Sequence, residues 1–199
     1  MLRTNDAIIR AGLIVELKKL HAGDSKVRTI PELGIKHGAA RVDIAVVNGV
    51  LHGYEIKSDR DTLLRLPDQM DIYNSVFDQM TLVVGKSHLF DAINLVPQWW
   101  GITLAKANDD GVVFQEMRPA TENPIQERPD MARLLWREEA LEALEKEGEA
   151  QGVRSKPRNF IYDRLTSVFD QKKLGTTVRE ALCARQDWRL DAPLVLNGG

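Results

Sequence analysis

Two apolar runs, RVDIAVV at residues 41–47 and VLHGYEIK at 50–57, are joined by Asn48-Gly49. Asn and Gly tolerate positive φ at little cost, so this pair between strand-like runs is the strongest short-range signal for a β-hairpin. Side chains alternate faces along a strand, which places Glu55 and Lys57 on one face with Ile56 on the other. The register decides whether Asp43 joins them. A strict two-residue turn pairs Val47 with Val50, sets Asp43 opposite Tyr54 and sends it to the far face. A three-residue loop of residues 47–49 with Gly49 left-handed, or a bulge at Gly53, shifts the pairing by one and brings Asp43 to the face of Glu55 and Lys57. If the three act together, one of these irregularities is required.

The hairpin sits within an alternating order of elements. Residues 4–21 read as an amphipathic helix capped by Thr4 or Asn5, with Ile8, Ile9, Leu13, Leu17 and Leu20 near helical spacing. A strand at 27–33 precedes the hairpin. After it come a short turn through 60–66, a helix at about 67–77 opened by Pro67, and a strand at 80–85. A helix at 87–95, a strand at 99–105 and an edge strand at 111–116 follow. The order predicts an α/β domain over residues 1–117 with a mixed sheet flanked by helices. Residues 118–129, rich in proline and polar groups, read as a linker. A helical domain is expected at 130–191, with helices at 130–148, 157–171 and 176–188, the last capped by Thr176 or Thr177, and then a tail at 192–199.

With 199 residues, 43% hydrophobic and 28% charged, the chain can bury a core. No apolar run approaches a membrane span, and the N-terminal stretch lacks the features of a signal peptide. One cysteine, Cys183, excludes an internal disulfide and fits a reducing cytoplasm; its helical, apolar context predicts a buried, inert thiol. The net charge of −2 means that any basic surface must be local. Residues 151–190 supply one, with nine Lys or Arg against four Asp or Glu. Four scattered histidines give no zinc spacing.

Asp43 and Glu55 on neighbouring strands would make an oxygen-rich site for Mg²⁺ or Mn²⁺, which take hard oxygen ligands. Such a metal lowers the pKa of bound water and stabilises charge on a phosphoryl oxygen. Lys57 could orient the water or stabilise the transition state as a cation. A bare Glu-x-Lys on a strand is equally a solvated ion pair.

The stretch RVDIAVVNGVLHGYEIK resembles the core of the PD-(D/E)xK nuclease superfamily, with Val42-Asp43 as its first half and Glu55-Ile56-Lys57 as its second. The α-β-β-β-α-β order is similar too, and Gln69 to Tyr73 looks like the Q-x₃-Y helix motif of an exonuclease-like branch. The likeness is nearest to small bacterial proteins with EIKSDRD-type segments and covers residues 4–105. It implies a restriction-endonuclease-like core and metal-dependent phosphodiester hydrolysis of nucleic acid, DNA first among them. It carries Asp43, Glu55, Lys57, Gln69 and Tyr73 over as catalytic residues. Asp43, Glu55 and a further acid are implied as ligands for Mg²⁺ or Mn²⁺; the further acid is Glu32, preferred, or Glu16. Val42 replaces the proline of the superfamily's name.

Other residues have two readings. Gln69 and Tyr73 share a helix face and could simply bond each other. Arg41, Arg60, Arg154, Lys156 and Arg158 could contact phosphates of nucleic acid or be ordinary surface charges. Asp59 and Asp61 suit the start of a helical turn better than a metal. His52 reads as structural beside Tyr54, and Trp99-Trp100 as core rather than a base-stacking pair. The rival to a nuclease is a non-catalytic subunit with the same fold that binds nucleic acid or a protein partner within a repair or defence assembly. Cleavage of both strands of a duplex would favour a homodimer, though no segment signals an interface.

Overall fold

The computed structural model describes residues 3–24 and 26–185. Six strands form one sheet in sequence order: β1 (Arg28–Ile35), β2 (Ala40–Val47), β3 (Leu51–Lys57), β4 (Gln79–Gly85), β5 (Gly101–Asn108) and β6 (Gly111–Arg118). β1, β2 and β3 are antiparallel neighbours, β3, β4 and β5 run parallel, and β6 returns antiparallel to β5. The parallel crossovers carry α2 (Leu66–Asn74) and α3 (Leu89–Leu95), as parallel strands require. The protein is thus α/β, with a six-stranded mixed sheet flanked by helices and further helices after it.

Strand alternation divides the core between the two faces. Ile44, Val46, Ile56, Val83 and Ala105 face α1 (Asp6–Leu20), which contributes Ile9, Leu13 and Leu17. Asn5 caps α1 by accepting the Ile8 N–H, one of the two caps expected. The opposite face, with Ala45, Val47, Leu82 and Val84, is covered by α2, α3 and the C-terminal helices. Trp99 and Trp100 are buried there, as their core reading required.

The hairpin takes the shifted register, by a route one residue away from the expected one. Val47 pairs with Leu51 and Ile44 with Tyr54, so the loop is Asn48-Gly49-Val50 rather than residues 47–49. Gly49 adopts φ +93°, the conformation for which glycine is suited. Gly53 pairs regularly with Ala45 and carries no bulge.

The C-terminal helices differ from expectation in two places. The single helix expected at 130–148 is two helices, α4 (Arg128–Ala132) and α5 (Arg137–Lys146). Trp136 is extended and starts a new helix, its N–H donating to Glu139 at 2.7 Å. The helix expected from 176 begins earlier. α7 (Gln171–Ala184) is capped by Asp170, which accepts the Lys173 N–H at 2.8 Å, while Thr176 and Thr177 lie inside it and bond back to Lys172 and Lys173 carbonyls. α6 (Arg158–Val168) answers the helix expected at 157–171 but stops at Val168, where Phe169 turns extended. Residues 186–188 and the 192–199 tail lie outside the described residues.

The stretch expected as a linker has no helix or strand between Arg118 and Arg128, yet it is pinned to the sheet layer. The Asn123 amide donates to the Asn74 and Phe77 carbonyls at 2.7 and 2.8 Å, and the Glu127 N–H donates to Ser75. One continuous core runs from Ile30 and Leu51 through Trp100 to Leu135, Leu165 and Leu182. Among the described residues no helix is long and apolar enough to cross a membrane.

Candidate functional site

Register brings three acids level. β1 pairs Pro31 with Ile44 and Leu33 with Val42, which sets Glu32 beside Asp43. Extending the β2–β3 register one step sets Asp43 opposite Glu55. Regular pairing between β2 and β3 stops at Ile44 and Tyr54, and the Asp43 side chain takes over: Oδ2 accepts the Ile56 N–H at 2.6 Å.

Three side chains interlock around the carboxylate of Glu55, a residue only 2% exposed. Lys57 Nζ donates to Glu55 Oε1 at 2.7 Å and to Gln69 Oε1 at 3.0 Å. Gln69 Nε2 donates to Glu55 Oε1 at 2.8 Å and to the Tyr73 hydroxyl at 3.2 Å. That hydroxyl, with one hydrogen to give, lies 2.9 Å from Glu55 Oε2 and 2.8 Å from the Arg41 carbonyl. Gln69 and Tyr73 are one turn apart on α2, so helical spacing aims both at the same carboxylate. All five residues expected to be catalytic by resemblance therefore gather at the β2–β3–α2 junction.

The electrostatics follow from burial. Loss of water raises the Glu55 carboxyl above its ordinary range, and the Asp43 charge raises it further; Lys57 and the Tyr73 hydrogen bond act the other way. Burial raises the Tyr73 phenol, as does the Glu55 charge, so it stays protonated and donating.

Sequence reading missed Arg10. From α1 its guanidinium donates to Glu32 Oε1 at 2.6 Å, Asp43 Oδ1 at 2.6 Å and the Asp43 carbonyl at 3.1 Å. It also pairs with Asp6 at 3.1 Å. Burial alone would lower the Arg10 pKa, but the bonds and charges of Asp6 and Asp43 outweigh it and hold the group firmly cationic. The Asp6-x₃-Arg10 spacing was visible as an i, i+4 pair; only the fold shows it reaching round to β2. Glu16 is not part of the cluster. Its side chain is 61% exposed and lies 3.9 Å from Lys19.

The other expected residues divide: Arg41 and Arg158 line one groove, while Arg60, Arg154 and Lys156 are not part of its lining. Arg41 is exposed beside the cluster, which its carbonyl joins through Tyr73. Arg60 is exposed on the turn after β3, Arg154 pairs with Glu145 at 3.1 Å, and Lys156 lies over the Phe160 ring. Arg158 is exposed at the start of α6. Asp59 and Asp61 serve structure. Asp59 accepts from Thr4 and Ser87, and those bonds overcome burial to hold its carboxyl at about 2. Asp61 accepts the Ser58 N–H and hydroxyl. His52 stacks on Tyr54 and bonds Thr81, while Cys183 is only partly buried rather than sealed in the core.

As they stand, no three acidic, histidine or cysteine side chains among the described residues are grouped to hold a metal ion. The donor chemistry nevertheless fits a hard divalent cation. Among the described residues, Asp6, Glu32, Asp43 and Glu55 form ion pairs with Arg10 and Lys57, four carboxylates against two cations. Asp43 and Glu55 are the ligands such an ion would find, with Glu32 tied to Arg10 at the sheet edge.

The family model of bacteriophage P4 protein cII matches residues 2–189, so the chain belongs to that family. Protein cII of Enterobacteria phage P4 is 32% identical over 91 residues, which is 46% of this chain and 34% of that protein; the match thus spans about a third of that relative. SPO1766, a solved protein of unknown function from Silicibacter pomeroyi, is 19% identical with a TM-score of 0.41, over 59% of this chain and 72% of its own.

Proposed function

We propose that the chain is a metal-dependent nuclease of PD-(D/E)xK type with a restriction-endonuclease-like core, hydrolysing phosphodiester bonds of nucleic acid, DNA first among them. The observation that carries this reading is the interlocked set of Glu55, Lys57, Gln69 and Tyr73 beside Asp43. A solvated surface ion pair needs none of that organisation. A buried carboxylate braced by three donors is the kind of preorganised group that hydrolysis requires.

A divalent cation held by Asp43 and Glu55 would supply an activated water and charge stabilisation at the phosphoryl group. Gln69 and Tyr73 fix the Glu55 carboxylate. Lys57 spends two of its three N–H donors on Glu55 and Gln69, and keeps one for the attacking water or a phosphoryl oxygen. Water oxygen bonds to phosphorus as its proton passes to solvent, the bridging P–O bond breaks on the opposite side, and the departing oxygen takes a proton from solvent to leave as an alcohol.

A second reading has one observation in its favour: Arg10 already bridges Glu32 and Asp43 as a cation. That arrangement suits a non-catalytic member of the same fold that binds nucleic acid or a partner. Cleavage of end-labelled single-stranded, duplex and branched DNA and of RNA, with Mg²⁺, Mn²⁺ or chelator, separates the two. The nuclease reading expects metal-dependent products that Asp43→Asn and Lys57→Ala both lose. Products unaffected by these substitutions, or none under any condition with nucleic acid still bound, would refute it.

A further inference from the structure

Beside the acidic row lies a groove of about 1090 Å³. Its floor is the outer edge of β1, and its walls come from α1, the α4–α5 junction and α6. Five cations line it without a carboxylate in ion-pair distance among the described residues: Lys18, Arg28, Arg41, Arg137 and Arg158. Arg28 donates to the Arg185 carbonyl and Arg137 to the Arg154 and Lys156 carbonyls, bonds that fix the guanidinium groups without neutralising them. Lys18, Arg41 and Arg158 are exposed. The lining acids are Glu32, which is bound to Arg10, and Glu138.

Among the described residues, a chain of net charge −2 gathers cations without ion pairs in one recess, and Glu32 and Arg41 connect that recess to the candidate catalytic cluster. The groove also offers an aromatic surface. The exposed His37 ring stacks on the buried Tyr162 ring, with centroids 6.0 Å apart and planes 23° from parallel. A basic groove with an exposed ring beside it can follow a single strand, phosphates on the cations and a base on the ring. A duplex covers its base faces by stacking and presents phosphates on a convex rod, which suits a recess poorly.

An acidic peptide added as a strand to β1 is the competing occupant, and the edge is built against it. Pro31 has no N–H to give, and Glu32 at φ +53° breaks the extended edge.

We infer that this groove binds single-stranded nucleic acid and feeds it to the Asp43–Glu55 cluster. The inference rests on the nuclease reading only for what happens after binding. It divides the basic residues sharply: Arg41 and Arg158 contact the strand, while Arg154 and Lys156, outside the groove, do not.

The test is fluorescence anisotropy of the full chain in chelator with labelled oligothymidylate of about 16 nucleotides. A duplex of equal length is measured alongside, and polyglutamate is added as competitor. The wild type should bind the single strand at least about tenfold more tightly than the duplex. Arg41→Glu with Arg158→Glu should weaken single-strand binding about tenfold or more and flatten its salt dependence by about 0.7 for each phosphate no longer neutralised. Lys18→Glu on the opposite wall should weaken it too, whereas Arg154→Glu with Lys156→Glu should not. Melting temperatures check that each variant is folded. Equal or preferred duplex binding, indifference to Arg41 and Arg158, or displacement by polyglutamate at equal charge concentration would overturn the groove's assignment. Binding that follows this pattern without metal-dependent cleavage would uphold the groove and remove the nuclease reading. Cleavage untouched by the Arg41 and Arg158 reversals would do the opposite.

Discussion

The Arg10 guanidinium and the Asp43 carboxylate meet at 2.6 Å across two layers of the fold, joining α1 to the point where β2 and β3 stop pairing. Arg10 holds Asp6, Glu32 and Asp43 together, so its removal leaves three carboxylates facing one another. Arg10→Gln should lower stability in chelator by about 1–3 kcal/mol. Mn²⁺ should then restore more of the melting temperature than it adds to the wild type, through binding linkage. Thermal melts with and without metal check both outcomes.

Tyr73 is wholly buried, and its hydroxyl is shared between Glu55 and the Arg41 carbonyl. Tyr73→Phe should cost about 1–3 kcal/mol, since the buried Glu55 carboxylate and the Arg41 carbonyl lose the one hydroxyl hydrogen they share. Denaturant unfolding measures this. The same variant should keep nucleic-acid affinity, because the side chain has no exposed surface with which to contact a ligand.

Acid should expose His52. Burial lowers its folded-state pKa from 6.5 to about 4, and the His21 charge adds to this. The unfolded chain therefore binds a proton in the window from about 6.5 down to about 4 that the folded chain does not. The neutral ring's contribution is full above that window and is lost as pH falls through it. His52→Gln should flatten the wild-type decline in melting temperature over this window.

Asp59 ties the segment before α1 to the ends of β3 and β4, and Gly85 lies against it. A Cβ on Gly85 would stand 2.6 Å from the Asp59 backbone nitrogen. Gly85→Ala should destabilise by about 1–3 kcal/mol, because backbone cannot yield as a side-chain end can. Asp59→Ala should loosen the Thr4 and Ser87 backbone amides first, which hydrogen exchange detects. With its folded carboxyl held at about 2 against an ordinary 3.8, the stabilisation from Asp59 is present above 3.8 and fades as pH falls toward 2.

The hairpin and the helix after it were readable because local chemistry dictates them. Asn48-Gly49 fixes a turn, period-two alternation fixes which face Glu55 shares, and four-residue spacing fixes Gln69 with Tyr73. The exact loop was not readable, because sliding it by one residue leaves the same apolar positions and the same glycine in use. The break between α4 and α5 was hidden for another reason. Leu134, Leu135 and Trp136 continue a helical pattern, and only the Glu139 cap and the packed core select a new start. Arg10 escaped notice because its meaning depends on residues more than twenty positions away. The groove likewise draws its cations from α1, β1, β2, α5 and α6, elements no local pattern connects.

The proposed chemistry depends on Asp43 and Glu55 taking a divalent cation together. Calorimetric titration of Mn²⁺ into the wild type, Asp43→Asn and Glu55→Gln tests this without reference to substrate. The wild type should show saturable binding that weakens at least about tenfold in each variant. Because burial and the Asp43 charge raise the Glu55 carboxyl, binding should also weaken on acidification at a higher pH than an ordinary carboxylate would show. Equal heats from all three proteins, or none from the wild type, would contradict it.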